Sequence, residues 1–138
     1  MRIRKEWTAW DPGANFKSLP GMTGIFEIAD EQHRCLLIGM AGGTSPFGLR
    51  GELYRIFGMP PGAESWNWAH PHPDDVPGDL RRRARFYRYE VNHNAYSRWI
   101  ECLTRYREDY EALPEFNLAP GAPQVPTLGR YFWKSEGN

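Results

Sequence analysis

Two short apolar segments, each carrying a glycine, constrain the fold of this chain most strongly. Gly24-Ile25-Phe26 begins the first segment and Leu37-Ile38-Gly39 ends the second, with a polar turn over 30–33 between them. A short apolar run bounded by turn residues is typical of a strand that is covered on both faces. The sequence therefore predicts two strands, over 23–29 and 34–39, joined by a tight turn.

A helix, a third strand and a second helix are predicted after this strand pair. Leu49, Leu53 and Ile56 recur at helical spacing, and Gly58 is suited to end that helix. Alternating residues over 83–91 predict the third strand, and an apolar stripe over 95–112 predicts the second helix. This order predicts an α+β domain with a small three-stranded sheet, mixed or antiparallel, flanked by helices.

The length of 138 residues is typical of a single domain. We expect a core over about 22–117 and an N-terminal arm over 1–20, which Trp7, Trp10 and Phe16 fold back onto the core. Residues 58–80 form a proline-rich insertion, and residues 118–138 form a tail that prolines interrupt repeatedly. Long irregular insertions of this kind are often functional.

The charge of the chain is balanced overall but unevenly distributed. The formal net charge is zero, which does not favour a polyanion binder as a whole. Arginine accounts for 14 of the 17 basic residues, and five of them lie close together: Arg81, Arg82, Arg83, Arg85 and Arg88. Arginine binds phosphate well and nearby aromatic rings stack on bases, so this run predicts a nucleic-acid-binding surface. A solvated surface explains the same run equally well.

Other features limit the cellular setting and the chemistry. The chain lacks an apolar run of membrane-spanning length and an N-terminal apolar segment, so we expect a cytoplasmic protein with no membrane partner. Two distant cysteines do not form a disulfide framework. His70, His72, Asp74 and Asp75 are metal-ligand residue types placed close together, and a solvated loop is the alternative.

The strand pair, the glycine-rich loop over 41–48 and the helix after it resemble the GIY-YIG nuclease superfamily. Gly24 and Gly39 match the glycines of its two strands, whereas Phe26 and Leu37 stand where the family has tyrosines. The resemblance covers about residues 22–117. It implies a metal-dependent endonuclease whose tyrosine hydroxyls assist proton transfer, a role that neither phenylalanine nor leucine performs.

The resemblance also implies which residues form the catalytic site. The family's Leu-x-x-Arg-Leu helix matches residues 49–53 with Glu52 at the arginine position, so Arg50 and Arg55 are the candidates to contact phosphate. Glu101 matches the family's metal-binding glutamate and would hold Mg²⁺ or Mn²⁺. Asn117 matches the asparagine that closes a Pro-x-x-Asn ending. The missing hydroxyl would have to come from one of four other residues: Tyr54, Tyr87, Tyr89 or His93.

Two functions are compatible with these residues. The first is a divergent nuclease with an altered or impaired site that acts on DNA or RNA. The second is a non-catalytic descendant that binds nucleic acid, or a protein partner, through the arginine run and the aromatic residues of the insertion. Loss of a general acid–base group typically costs about 10²–10⁴ in rate, which favours the second function.

Overall fold

The predicted strand pair lies in one antiparallel sheet of an α+β fold. The computed structural model describes residues 2–11, 19–42, 47–58 and 76–118. Its elements in chain order are β1 (Thr8–Ala9), β2 (Gly24–Ala29), β3 (Cys35–Ala41), α1 (Gly48–Phe57), α2 (Gly78–Arg83), β4 (Phe86–Val91), α3 (Ala95–Tyr110) and a 3₁₀ turn (Glu115–Asn117).

In the described part of the chain the sheet has four strands, in the order β1-β4-β2-β3, whereas the sequence predicted three. Each neighbouring pair is antiparallel. The additional strand is β1, where Thr8 pairs with Tyr87 and Ala9 with Phe86. Two residues are too few to show a period in sequence, and β1 is extended because β4 offers it an edge.

Helices cover both faces of the sheet, which explains why β2 is buried along its whole length. Phe26 and Ile28 point towards α1 and α2, whereas Ile25 packs with Trp99 and Leu103 of α3. Side chains of a strand alternate between the two faces, so a sheet covered on both sides requires a nearly continuous apolar run. The prediction of a strand covered on both sides is confirmed.

Residues 2–11, the described stretch that contains Trp7 and Trp10, pack on the core, as the sequence predicted for this arm. Trp10 stacks on Phe57 with ring centroids 4.4 Å apart, and its backbone N–H donates to the carbonyl of Arg85 at 3.0 Å. Trp7 lies on the opposite face, against Arg88. Phe16, the third aromatic residue of the prediction, lies outside the described residues.

The third predicted strand begins later than expected, and this divides the arginine run. Residues 81–83 belong to α2, and β4 begins only at Phe86. The Arg81 guanidinium donates to the carbonyls of Ile56 at 3.1 Å and Arg55 at 2.6 Å, at the C-terminal end of α1. These carbonyls have no partner within their own helix, and their capping by Arg81 favours a helical turn, not a strand, at residues 81–83.

Among the described residues, no helix has the length and apolar character needed to cross a membrane.

Candidate functional site

A cleft of about 630 Å³ opens beside β3, between that strand and α1. We name it the edge cleft. Its walls are mainly apolar. The described residues that line it are Phe26, Leu37, Ile38, Gly39, Met40, Glu52, Arg55, Ile56, Val76, Pro77, Leu80, Trp99, Phe116 and Asn117.

The edge cleft brings together some of the residues that the resemblance to nucleases singled out. Phe26 and Leu37, at the two tyrosine positions, both line it. Arg55 also lines it, and its guanidinium donates to the Glu52 carboxylate at 3.0 Å. This ion pair is mostly buried, and Arg55 Nε has no hydrogen-bond partner among the described residues.

Two other predicted catalytic residues lie elsewhere. The Arg50 guanidinium donates to the backbone carbonyl of Leu19 at 2.9 Å. The Glu101 carboxylate accepts from Arg98 at 2.6 Å, and its side chain is 55% exposed on α3. Neither Arg50 nor Glu101 is among the described residues lining the edge cleft. The structure therefore places Arg55 in the same cleft as Phe26 and Leu37, whereas the predicted metal ligand, Glu101, lies elsewhere.

The candidates for a replacement hydroxyl are also absent from the described lining of the edge cleft. Tyr54 and Tyr87 are buried in the core beneath Trp10. Burial raises the pKa of Tyr54 to about 12 and raises the pKa of Tyr87 as well. Tyr89 packs against the ammonium group of Lys5 at 4.3 Å, and His93 is exposed.

Asn117 is positioned by backbone contacts at the edge of the sheet. Its side-chain amide donates to the Ile38 carbonyl and accepts from the Ile38 N–H, both at 2.9 Å. The indole N–H of Trp99 donates to the same carbonyl at 2.8 Å. These bonds use both ends of the amide, which indicates a structural role for Asn117.

No group of three or more potential metal ligands occurs among the residues that the structure describes. The proposed loop ligands, His70, His72, Asp74 and Asp75, lie outside those residues. Glu101 contributes one carboxylate, which lies beside an arginine.

The five clustered arginines of the sequence do not form one surface. Arg81 caps α1, Arg82 pairs with Asp79, and the Arg85 guanidinium donates to the carbonyls of Arg82 and Ala84. Arg83 and Arg88 remain as lining residues of a second cleft.

This second cleft, which we name the arginine cleft, measures about 530 Å³ and lies beside the C-terminal half of α3. It combines cationic and aromatic side chains. The described residues that line it are Arg2, Trp7, His33, Arg34, Cys35, Leu36, Arg83, Arg88, Tyr106, Tyr110 and Glu115.

A buried carboxylate holds two of these arginines in place. Glu27 is fully buried in the centre of β2. Arg2 donates to it through Nε at 3.0 Å and Nη2 at 2.8 Å, and Arg88 through Nε at 2.9 Å and Nη2 at 2.7 Å. Although burial opposes its charge, the bond to Glu27 raises the pKa of Arg2. Two guanidinium groups share one carboxylate, so this cluster retains one positive charge.

Aromatic rings flank the two guanidinium groups. The Arg88 guanidinium lies 4.0 Å above the Trp7 ring, and that of Arg2 lies 4.8 Å above Tyr106. Tyr106 also contacts Tyr110, with centroids 4.5 Å apart. Tyr110 is 60% exposed, so its ring is available to a ligand. Cation–π contacts of this kind stabilise a guanidinium in a fixed position.

Two further arginines stand at the rim of the arginine cleft. Arg34 pairs with Asp30 at 3.0 Å, and its side chain is 72% exposed. Arg83 pairs with Glu115 at 2.9 Å, which raises the pKa of Arg83. Sequence analysis did not select Arg2, Arg34 or Glu27. A glutamate inside an otherwise apolar strand was the one signal available, because a buried charge requires partners.

Comparison with protein-family models, with curated proteins and with solved structures finds no match to this chain.

Proposed function

We propose that this protein binds nucleic acid through the arginine cleft. The observation that carries the proposal is the pair of arginines, Arg2 and Arg88, held by one buried carboxylate. The shared pairing leaves a net positive charge at the base of a cleft whose walls include Trp7 and Tyr110. Arginine donors attract phosphate, and exposed rings stack on bases.

Preorganisation makes these arginines better phosphate ligands than freely rotating surface side chains. Glu27 and the rings of Trp7 and Tyr106 fix both guanidinium groups before a ligand arrives. Ordering a long side chain during binding costs about 0.5–1.5 kcal/mol, and this cost has been met here on folding. Stacking of each base on an aromatic ring adds about 1–3 kcal/mol.

The experiment compares two arginines of similar exposure, one paired with a buried aspartate and the other with a partly exposed aspartate. Arg34 and Arg82 each pair with an aspartate, and their side chains are 72% and 73% exposed. Arg34 lines the arginine cleft and Arg82 is not among its described lining residues. Fluorescence anisotropy with labelled DNA and RNA oligonucleotides would measure binding by the native protein, Arg34→Ser and Arg82→Ser. We expect Arg34→Ser to weaken binding several-fold and to lower the slope of log K against log salt by about 0.7–0.9.

Arg82→Ser should bind like the native protein. Equal losses in the two variants would mean that any surface charge suffices and would overturn the assignment to the arginine cleft. Absence of binding to every oligonucleotide would overturn nucleic-acid binding and favour the protein-interaction alternative.

A metal-dependent phosphodiesterase at the edge cleft is the second candidate. One observation favours it, which is that Arg55 shares the edge cleft with Phe26 and Leu37. The same oligonucleotides and a supercoiled plasmid, incubated with Mg²⁺ or Mn²⁺, test this candidate. Cleavage that is lost in Arg55→Met, at a residue that lines the edge cleft, would support it, whereas bound oligonucleotides that remain intact would support binding without catalysis.

A further inference from the structure

A second basic depression adjoins the arginine cleft. We name it the arm depression, because residues of the N-terminal arm form most of it. It measures about 360 Å³, and the described residues that line it are Arg2, Ile3, Arg4, Lys5, Glu90 and Arg98. Arg2 lines both the arm depression and the arginine cleft, so the two surfaces meet at this residue.

Helix α3 runs beside both surfaces and sets the length of the path. Arg98, in its first turns, lines the arm depression, and Tyr110, at its end, lines the arginine cleft. At 1.5 Å per residue these two positions are separated by about 18 Å along the helix axis. A stacked strand rises about 3.4 Å per nucleotide, so this length corresponds to roughly five nucleotides.

The two surfaces offer different contacts to such a strand. Tyr106 and Tyr110 line the arginine cleft, whereas the described residues that line the arm depression include no aromatic ring. Glu90, the one carboxylate among the described residues that line the arm depression, accepts from Arg98 at 2.8 Å. That hydrogen bond is the main cause of the lowered pKa of Glu90. Arg4 and Lys5, which also line the arm depression, are exposed, and the Lys5 ammonium lies 4.3 Å from the centroid of the Tyr89 ring.

We propose that one single strand of nucleic acid occupies both surfaces and crosses Arg2 between them. This inference rests on the proposed function. Bases stack on the tyrosines at the end of α3, and phosphates contact Arg4 and Lys5 at the arm. A single strand is the form that fits, because its bases are exposed and reach aromatic rings without unpairing.

Oligonucleotide length and one arm residue test this inference together. Anisotropy would measure the affinity of trimers and nonamers of dT and of U for the native protein, Lys5→Ser, Lys5→Arg and Arg105→Ser. Arg105 lies on α3, and its side chain is half exposed and paired with Glu108, outside the described lining of both surfaces. Preference for dT or U identifies which nucleic acid the site accepts.

We expect the native protein to bind nonamers about tenfold more tightly than trimers, since only nonamers reach both surfaces. Lys5→Ser should lower nonamer affinity several-fold and leave trimer affinity unchanged, and Lys5→Arg should restore it. Arg105→Ser should bind both lengths like the native protein.

Equal affinity for trimers and nonamers would overturn the inference and leave nucleic-acid binding by the arginine cleft intact. Equal effects of Lys5→Ser on both lengths would also overturn it, because the arm would then act on the arginine cleft itself. Tighter binding of the matching duplex than of the single strand would overturn the choice of ligand. Failure of every oligonucleotide to bind would overturn both proposals.

Discussion

The side chain of Asn117 pairs with the backbone of Ile38 as a neighbouring strand would. Its amide satisfies both the N–H and the carbonyl of Ile38, each at 2.9 Å, on the edge of β3 that faces away from β2. The resulting contact closes part of an open sheet edge and fixes the 3₁₀ turn against it. Capping an edge in this way also hinders pairing with other chains.

Replacing Asn117 should therefore destabilise the fold. Asn117→Ala removes two buried hydrogen bonds and leaves the Ile38 N–H without its partner, at a cost of about 2–4 kcal/mol. Denaturant unfolding monitored by tryptophan fluorescence would measure this loss. Asn94→Ala, at an exposed asparagine whose side chain makes no capping bond, should change stability by less than about 0.5 kcal/mol. Equal stability of Asn117→Ala and the native protein would contradict a structural role for the amide.

Gly39 is required because the ring of Phe26 lies directly over it. The two residues are paired across β2 and β3, and a Cβ at position 39 would lie 2.7 Å from Cε2 of Phe26. Gly39→Ala should destabilise the protein by about 1–3 kcal/mol through overpacking. A double-mutant cycle with Phe26→Leu should recover part of that loss, because the smaller side chain leaves room for the methyl group. Additive losses in the double mutant would show that the clash is not with this ring.

Glu27 should affect stability and binding in opposite directions. Glu27→Gln removes the charge that two guanidinium groups share, and breaking a buried ion pair typically costs about 3–5 kcal/mol. Glutamine keeps one side-chain oxygen that accepts from both guanidinium groups, and the same change raises the positive charge of the arginine cleft, so we expect tighter oligonucleotide binding under conditions where the variant is folded. Unfolding curves and anisotropy at low temperature would measure the two effects. Weaker binding by a folded Glu27→Gln would mean that Glu27 orients the arginines more than it neutralises them.

A combined variant keeps this test informative if Glu27→Gln does not fold. Arg2→Met, Glu27→Leu and Arg88→Met together replace the cluster with apolar side chains of similar length. Such replacements are often neutral or stabilising, so we expect near-native stability. Oligonucleotide binding should be lost, since this variant removes the central arginines of the arginine cleft.

Asp30 should make the stability of the protein depend on acidic pH. Its carboxylate is buried, which opposes the charge, but it accepts from the backbone N–H groups of Arg34 and Gln32 and from the Arg34 guanidinium. These bonds hold the pKa of Asp30 below 3.8, its ordinary value. The stabilisation is complete above that value and is lost as the pH falls through the lower pKa of the folded protein.

Asp30→Asn isolates this contribution. At neutral pH the variant should be less stable by about 1–3 kcal/mol, because it loses charge-assisted hydrogen bonds. The difference from the native protein should shrink as the pH falls from 3.8, where Asp30 of the unfolded chain takes up a proton, through the lower pKa of Asp30 in the folded protein. Unfolding free energies measured across acidic pH would show this, with the exposed neighbour Glu31→Gln as control. A constant difference at all pH values would contradict a role for the charge.

The sequence predicted most secondary structure because its local signals were strong. An uninterrupted apolar run made β2 a buried strand, and the spacing of Leu49 and Leu53 located α1. The third strand was predicted to begin at Arg83, but β4 begins only at Phe86. The alternation that includes Arg83 and Arg85 did not distinguish the start of a strand from the end of a helix. Resemblance to GIY-YIG nucleases stays a prediction.

What the sequence alone determined was the fold class, the central strands and the two main helices, because hydrophobic periodicity is a local property. Tertiary structure decided which charges act together. The five arginines that lie close together in sequence do not share one surface, because the chain changes from helix to strand between Arg83 and Phe86. Arg2 and Arg88, distant in sequence, meet at Glu27 because a charge buried in a sheet is stable only where the fold brings it partners.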